Sequence, residues 1–289
     1  MGVDSDRSRR DATDSNASDP GPGDHGREDH DREDHEKSSG NVHVRRLTVA
    51  DTLRWSWATL RDRPSLVGLA LAANLPSVAA AVGVTRPSPS ADLDVALWVW
   101  PAYLVQLVAV AVVAGAVYLT AADAVAYRTR SLSTRVRAAA RRLPALAATG
   151  VVLAVVAGLG FLPGYLLEWE ALPGVDDGLL AVLSLLALVL AAYALLRLLL
   201  AFPACVVDDA GPLASSRAGW GAATGIVRKV FAVGVVYLVA SVASAVVSGL
   251  FGGEYDVAST LASAVTGAVV LPFFGLALAH LYLEGSRNR

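Results

Sequence analysis

Six apolar runs, each at least 20 residues long and almost free of charge, leave this 289-residue chain few ways to fold. They are Ser65–Val84, Val95–Ala122, Leu143–Leu166, Leu179–Phe202, Val230–Leu250 and Val257–Leu281. A helix rising about 1.5 Å per residue needs roughly 20 apolar residues to cross a ~30 Å hydrocarbon core. Inside that core the backbone must satisfy its own hydrogen bonds, so each run is expected to be helical. Pro76, Pro101, Pro163 and Pro272 interrupt the pattern only mildly, because neighbouring helices can satisfy the carbonyls a proline frees. The expected fold is therefore all-α: a polytopic transmembrane bundle of six spans over residues 45–286, with 287–289 as a short tail. A hydrophobic share of 54% and a mean hydropathy of +0.49 agree with this and argue against a soluble domain.

The loops predict an orientation. Residues 123–142 carry six arginines (128, 130, 135, 137, 141 and 142), and residues 203–229 carry Arg217, Arg228 and Lys229. The segment before the first run adds Arg45, Arg46, Arg54, Arg61 and Arg63. The alternate loops, 85–94, 167–178 and 251–256, hold Arg86 alone. By the positive-inside rule both termini are cytosolic, and the expected location is the cell membrane. Trp98, Trp100 and Trp169 fall at the outer ends of their spans, where an aromatic belt belongs.

Residues 1–44 hold twelve acidic and six basic residues and almost no large apolar ones. Such a segment is expected to be a disordered acidic cytosolic tail, without the apolar core of a secretory signal. His25, His30 and His35 recur at a five-residue spacing that shares no helix face, so a solvated tail is favoured over a metal site. A net charge of −2 offers no footprint for nucleic acid. Cys205, the single cysteine, excludes an intrachain disulfide and reads as a small buried apolar residue. The scarcity of lysine, with abundant Ala, Val and Asp, resembles the composition of GC-rich halophilic archaea.

From Thr48 to Arg63, apolar Val49, Leu53, Trp57 and Leu60 recur at three- and four-residue spacing, which predicts an amphipathic helix either at the interface or docked on protein. Similar basic segments precede the third and fifth runs. Aligning Arg54, Arg135 and Arg217 gives intervals of 81 and 82 residues, so the chain reads as three parallel repeats of a short helix and a helical hairpin. Ser241, Ala245 and Gly249 recur every four residues in the fifth run, as do Ser259, Ser263 and Gly267 in the sixth. Small residues at this spacing predict close helix contact.

Polar residues within membrane spans are expensive and mark candidate sites. Here they are Asn74, Gln106, Arg197 and His280. Asn74 and Gln106 are expected to bond between helices, and His280 to sit at the interface. Arg197 is expected to snorkel or to pair with Asp208 or Asp209 in the turn that follows, with Arg217 and Trp220 on the next helix close by. No run has a carboxylate near its centre, which opposes a proton- or cation-coupled pump. There is no Walker A, HExxH or paired-carboxylate motif, so neither a cofactor nor an enzymatic activity is expected.

The stretch Arg197…Phe202-Pro203…Val206-Val207-Asp208-Asp209, then Leu213-Ala-Ser-Ser216-Arg217…Trp220…Gly225, carries a resemblance. With Leu271-Pro272…Leu281-Tyr282-Leu283-Glu284, it resembles the six-helix membrane domain found with some glycerophosphoryl diester phosphodiesterases and related archaeal membrane proteins. The resemblance implies an integral membrane module over about residues 46–286. The soluble domain that would bring metal-binding carboxylates and histidines is not in this sequence, so the phosphodiesterase activity does not carry over. The expected function is a non-enzymatic module organising or assisting lipid or protein partners at the inner leaflet. Its basic helices would meet the anionic headgroups of the bilayer. The alternatives are a transporter or channel, favoured by the repeats, and an accessory of membrane-lipid metabolism.

Overall fold

A computed structural model of the chain describes residues 44–85, 94–168, 177–253 and 256–288. The acidic tail with its histidines, Arg86 and Trp169 lie outside the described residues. The fold is an all-α bundle. Short helices are α1 (Val49–Asp62), α4 (Leu132–Arg141), α7 (Ala201–Val207) and α8 (Pro212–Ala223). Long helices are α2 (Ser65–Val82), α3 (Val99–Val125), α5 (Leu143–Glu168), α6 (Asp177–Leu198), α9 (Val227–Gly249) and α10 (Val257–Arg287). A two-residue antiparallel ladder, β1 (Val84–Thr85) with β2 (Asp94–Val95), ties the far ends of α2 and α3. Six helices are long and apolar enough to cross a membrane, with α6 and α7 together forming the fourth, Gly178–Val207. The chain is a multi-pass membrane protein.

Local chemistry sets several boundaries. Thr48 caps α1 by accepting from the Asp51 amide at 3.2 Å, and Ser131 caps α4 through the Thr134 amide at 3.3 Å. Pro212 starts α8 at a position where a missing N–H costs nothing. The expected fourth run to Phe202 breaks earlier, at Leu199–Leu200. Pro203 has no N–H to offer the Leu199 carbonyl, and its ring crowds that oxygen, so the helix stops and restarts as α7. Asp209, with φ of 59°, occupies the left-handed region that aspartate tolerates and turns the chain toward α8.

Three times a short helix leads into an antiparallel pair: α1 into α2–α3, α4 into α5–α6, and α8 into α9–α10. Each short helix packs on the last long element of the unit before it. Thus α4 lies on α3, α8 lies on α6 and α7, and α1 lies on α10, which closes the series on itself. Polar contacts place all three short helices at one end of the bundle, since Arg63, Asp123, Arg142, Asp208, Lys229 and Glu284 all make bonds between elements there. Trp98 and Trp100 are exposed at the opposite end.

The core surrounds the second half of α10. Leu276 and Ala279 join a cluster with Leu66, Val117 and Cys205, while Phe274, Leu281 and Tyr282 join another with Leu200, Ala222 and Val230. Buried Cys205 fits its expected apolar role. By contrast, α6 and α9 show mostly apolar exposed surface, as helices facing hydrocarbon do.

Two packing expectations are corrected. The face of α1 that docks is Thr52, Ser56, Thr59 and Leu60, whereas Trp57 is 48% exposed and Val49 and Leu53 are only half-buried. Thr52 and Ser56 donate their hydroxyls back to the carbonyls of Thr48 and Thr52, both at 2.9 Å, so these two fully buried hydroxyls are paired. Between α9 and α10 the expected stripe holds on α10, where Ser259 is buried and Ser263 meets α9, but on α9 the contact is one residue away from it. Ala245 and Gly249 are exposed, and the helices meet through Ser248 with Ser263 at 2.8 Å and Ser244 with Thr266 at 2.5 Å. Hydroxyl pairs satisfied across the interface outweigh the small gain of a smoother surface.

Candidate functional site

The eight polar or aromatic residues singled out in the sequence fall into separate groups. Asn74 donates from Nδ2 to the Ala70 carbonyl at 2.8 Å and accepts from Gln106 Nε2 at 3.3 Å. This is the expected bond between helices, here joining α2 to α3. His280, one turn before Glu284 on α10, is buried against protein, its ring 4.7 Å from that of Trp55 and tilted by 42°. α1 lies across α10 at this level and covers it, which the spacing within α10 alone does not reveal.

The expected pairing of Arg197 with Asp208 or Asp209 does not form. Asp208 instead accepts a hydrogen bond from the Tyr282 hydroxyl and lies 4.0 Å from Arg287, while Asp209 pairs with Arg142 at the start of α5. The break at Leu199–Leu200 and the turn at Asp209 aim both carboxylates toward α10 and α5, away from α6. Arg197 is held by aromatic rings. Its guanidinium carbon lies 5.1 Å from the Tyr193 ring centroid and 4.8 Å from that of Trp220. The rings meet edge to face at 6.4 Å. Tyr193 stands one turn before Arg197 on α6, and Trp220 comes from α8, seated closely because Gly219 has no Cβ to strike the backbone of Leu200 and Ala201.

Both rings keep much of their surface open, Tyr193 at 44% and Trp220 at 39%. Arg197 Nε is sealed off with no hydrogen-bond partner, and among the described residues no carboxylate pairs with this guanidinium. A cation in mid-bilayer costs about 2.5–3.5 kcal/mol on the insertion scale, and less near the interface. Two cation–π contacts return about 0.5–2 kcal/mol each, so the aromatic cradle is enough to hold the charge at this depth. Arg217 is exposed three residues before Trp220, the spacing of neighbours on one helix face.

The other two junctions between units each hold a buried carboxylate that pairs with a cation. At the first, Asp123, buried at the end of α3, accepts from Arg135 Nε of α4 at 2.7 Å and lies 3.5 Å from Arg130. Arg63 donates to the Thr120 carbonyl at 3.5 Å beside them. Burial and then the like charge of Arg135 pull the Arg63 guanidinium below its ordinary value, against the opposing pull of Asp123 and Asp62. At the closing junction, Lys229 Nζ donates to Glu284 Oε1 at 2.5 Å and to the Leu47 carbonyl at 2.7 Å, and the Leu47 amide donates to Glu284 Oε2 at 3.4 Å. Asn288 Nδ2 donates to the Val44 carbonyl at 2.7 Å, so the docked chain extends slightly beyond both ends of 45–286. A cavity of about 350 Å³ opens here between Arg46, Thr224, Lys229, Glu284 and Asn288.

Sequence reasoning missed the Asp123–Arg135 and Lys229–Glu284 pairs and the ring of Tyr193. Tyr193 carried a signal in its four-residue spacing from Arg197. The pairs carried only a weak one: each joins an acidic residue just past the apolar part of a span to a basic residue of an adjacent segment. Compared with family models, curated proteins and solved structures, the chain matches none.

Proposed function

We propose that this protein is a non-enzymatic module of the cell membrane, with both termini cytosolic, that engages anionic headgroups through its basic end and so organises or assists lipid or protein partners at the inner leaflet. One observation carries the reading. At the end of the bundle that holds the three short helices, the acidic side chains are mostly consumed internally, while Arg61, Arg128, Arg137, Arg141, Arg217 and Arg228 are exposed without a partner among the described residues. The bundle thus presents an excess of free cations at one level, and each near-surface arginine contributes about 1 kcal/mol toward an anionic leaflet. Use of Asn74 and Gln106 in a helix–helix bond supports a packed module over a transport path between α2 and α3. Reconstitution into discs of mixed phosphatidylglycerol and phosphatidylcholine tests the reading. Lipid recovered with the purified protein should be enriched in phosphatidylglycerol, and replacing Arg128, Arg137 and Arg141 together by glutamine should reduce that enrichment. A recovered pool with the composition of the disc would refute the proposal.

A further inference from the structure

The geometry points to a specific lipid site in the cradle of Arg197, Tyr193 and Trp220, which binds the phosphodiester of an anionic inner-leaflet lipid. The inference rests on the reading of the basic end as the inner-leaflet face, and it gives that face a discrete site. Each junction between units brings a charged side chain near the end of a long element against a neighbouring element: Arg135 and Trp220 lie on short helices, and the Leu47 amide lies just before one. At the first junction Asp123 meets Arg135 and Arg130, and at the closing junction Glu284 meets Lys229 and the Leu47 amide, so at both a buried carboxylate faces the cations. At the second junction the long helix supplies a cation and the short helix an aromatic ring, and the two nearby aspartates are taken by Tyr282, Arg287 and Arg142. One guanidinium is left without a counter-ion at this junction.

Its surroundings select the ligand. The two rings pack against the guanidinium and Nε is sealed, which leaves the paired Nη edge as the donor surface. Two parallel N–H groups match two oxygens of a phosphate, a bidentate fit that lysine cannot reproduce. Tyr193 and Trp220 are both partly open, and on α6 the residues one and two turns before Tyr193, Leu190, Val189 and Leu186, are exposed as well. A lipid lays its acyl chains along this apolar surface when its phosphate meets Arg197, a contact that a soluble anion lacks. Exposed Arg217 on the Trp220 face of α8 supplies a second cation toward the headgroup. Amphipathic aromatic rings that hold a cation at the membrane–water boundary suit a headgroup site.

The full chain, stripped of lipid in a non-ionic detergent, is titrated with dioctanoyl phosphatidylglycerol, dioctanoyl phosphatidylcholine or inorganic phosphate. Bound lipid is counted by native mass spectrometry and the melting temperature is followed. Phosphatidylglycerol should bind and raise the melting temperature, phosphatidylcholine should bind more weakly, and inorganic phosphate should neither raise it nor compete. Arg197→Leu should weaken phosphatidylglycerol binding about ten- to a hundredfold, the worth of a charge-assisted bidentate contact. Arg197→Lys keeps the charge and serves if the leucine variant fails to fold; it should lose most of the preference for phosphatidylglycerol over phosphatidylcholine. Unchanged binding in the lysine variant, or equal competition by inorganic phosphate, overturns the site. If the wild type shows no preference for phosphatidylglycerol at all, the broader reading fails with it. A wild-type preference that survives in both variants sinks the cradle alone.

Discussion

Asp123 and Arg135 show how a single residue is judged in this bundle. Both are buried, with the carboxylate shared by Arg135 and Arg130. Removing one partner of a buried pair strands a charge, at a cost of about 3–5 kcal/mol, while replacing both by apolar groups of similar volume is often neutral or stabilising. Asp123→Leu should therefore lower the melting temperature in detergent markedly, and the double change Asp123→Leu with Arg135→Met should recover most of the loss. A double variant as unstable as the single one would show that Asp123 acts through Arg130 or Arg63. Arg197 is the contrasting case. It has no carboxylate to lose, and its charge rests on two ring faces.

At the scale of elements, α8 is the tightest fit. Gly219 lies against the backbone of Leu200 and Ala201 in the break between α6 and α7, and Gly285 of α10 lies against the Ala222 carbonyl. Backbone cannot move aside as a flexible side chain can, so a methyl group here must push α8 away. Gly219→Ala should cost about 1–3 kcal/mol, the usual penalty of overpacking, despite alanine's better helix propensity. Chemical denaturation measures it. Because Trp220 is the next residue, the same variant should also raise the exposure of that ring to an aqueous quencher. If stability is unchanged, α8 is more loosely seated than its contacts require.

For the whole molecule, the testable property is sidedness. The arginine-rich segments cluster at one end, so the positive-inside rule predicts that this end is cytosolic. The only native cysteine is buried, which makes thiol labelling of intact cells clean. Leu97→Cys and Leu250→Cys, at exposed positions of the far end, should react with an impermeant reagent from outside. Ser133→Cys and Leu213→Cys should react only after the cells are opened. Labelling of residue 133 from outside would invert the assignment and remove the inner leaflet from the proposed function.

The amino-acid sequence alone determined the number of spans, their limits to within a few residues except at the ends of the fourth and the sixth, and the grouping of short helix with hairpin. All of these are local quantities: a length of apolar chain, a cap, a loop rich in arginine. Tertiary structure decided which helix is central, which hydroxyls seat α1, and which partners Arg197, Asp208, Asp209 and His280 find. Helices that are apolar all round carry no stripe to say which face meets protein and which meets lipid. The sequence therefore could not single out α10 from five similar runs, and it drew attention to the stretch around Arg197 instead. A charged side chain near a span end has several reachable partners within one helical turn of it. Only the break before Pro203 and the left-handed turn at Asp209 turned both carboxylates away from Arg197 and left the rings of Tyr193 and Trp220 to hold it.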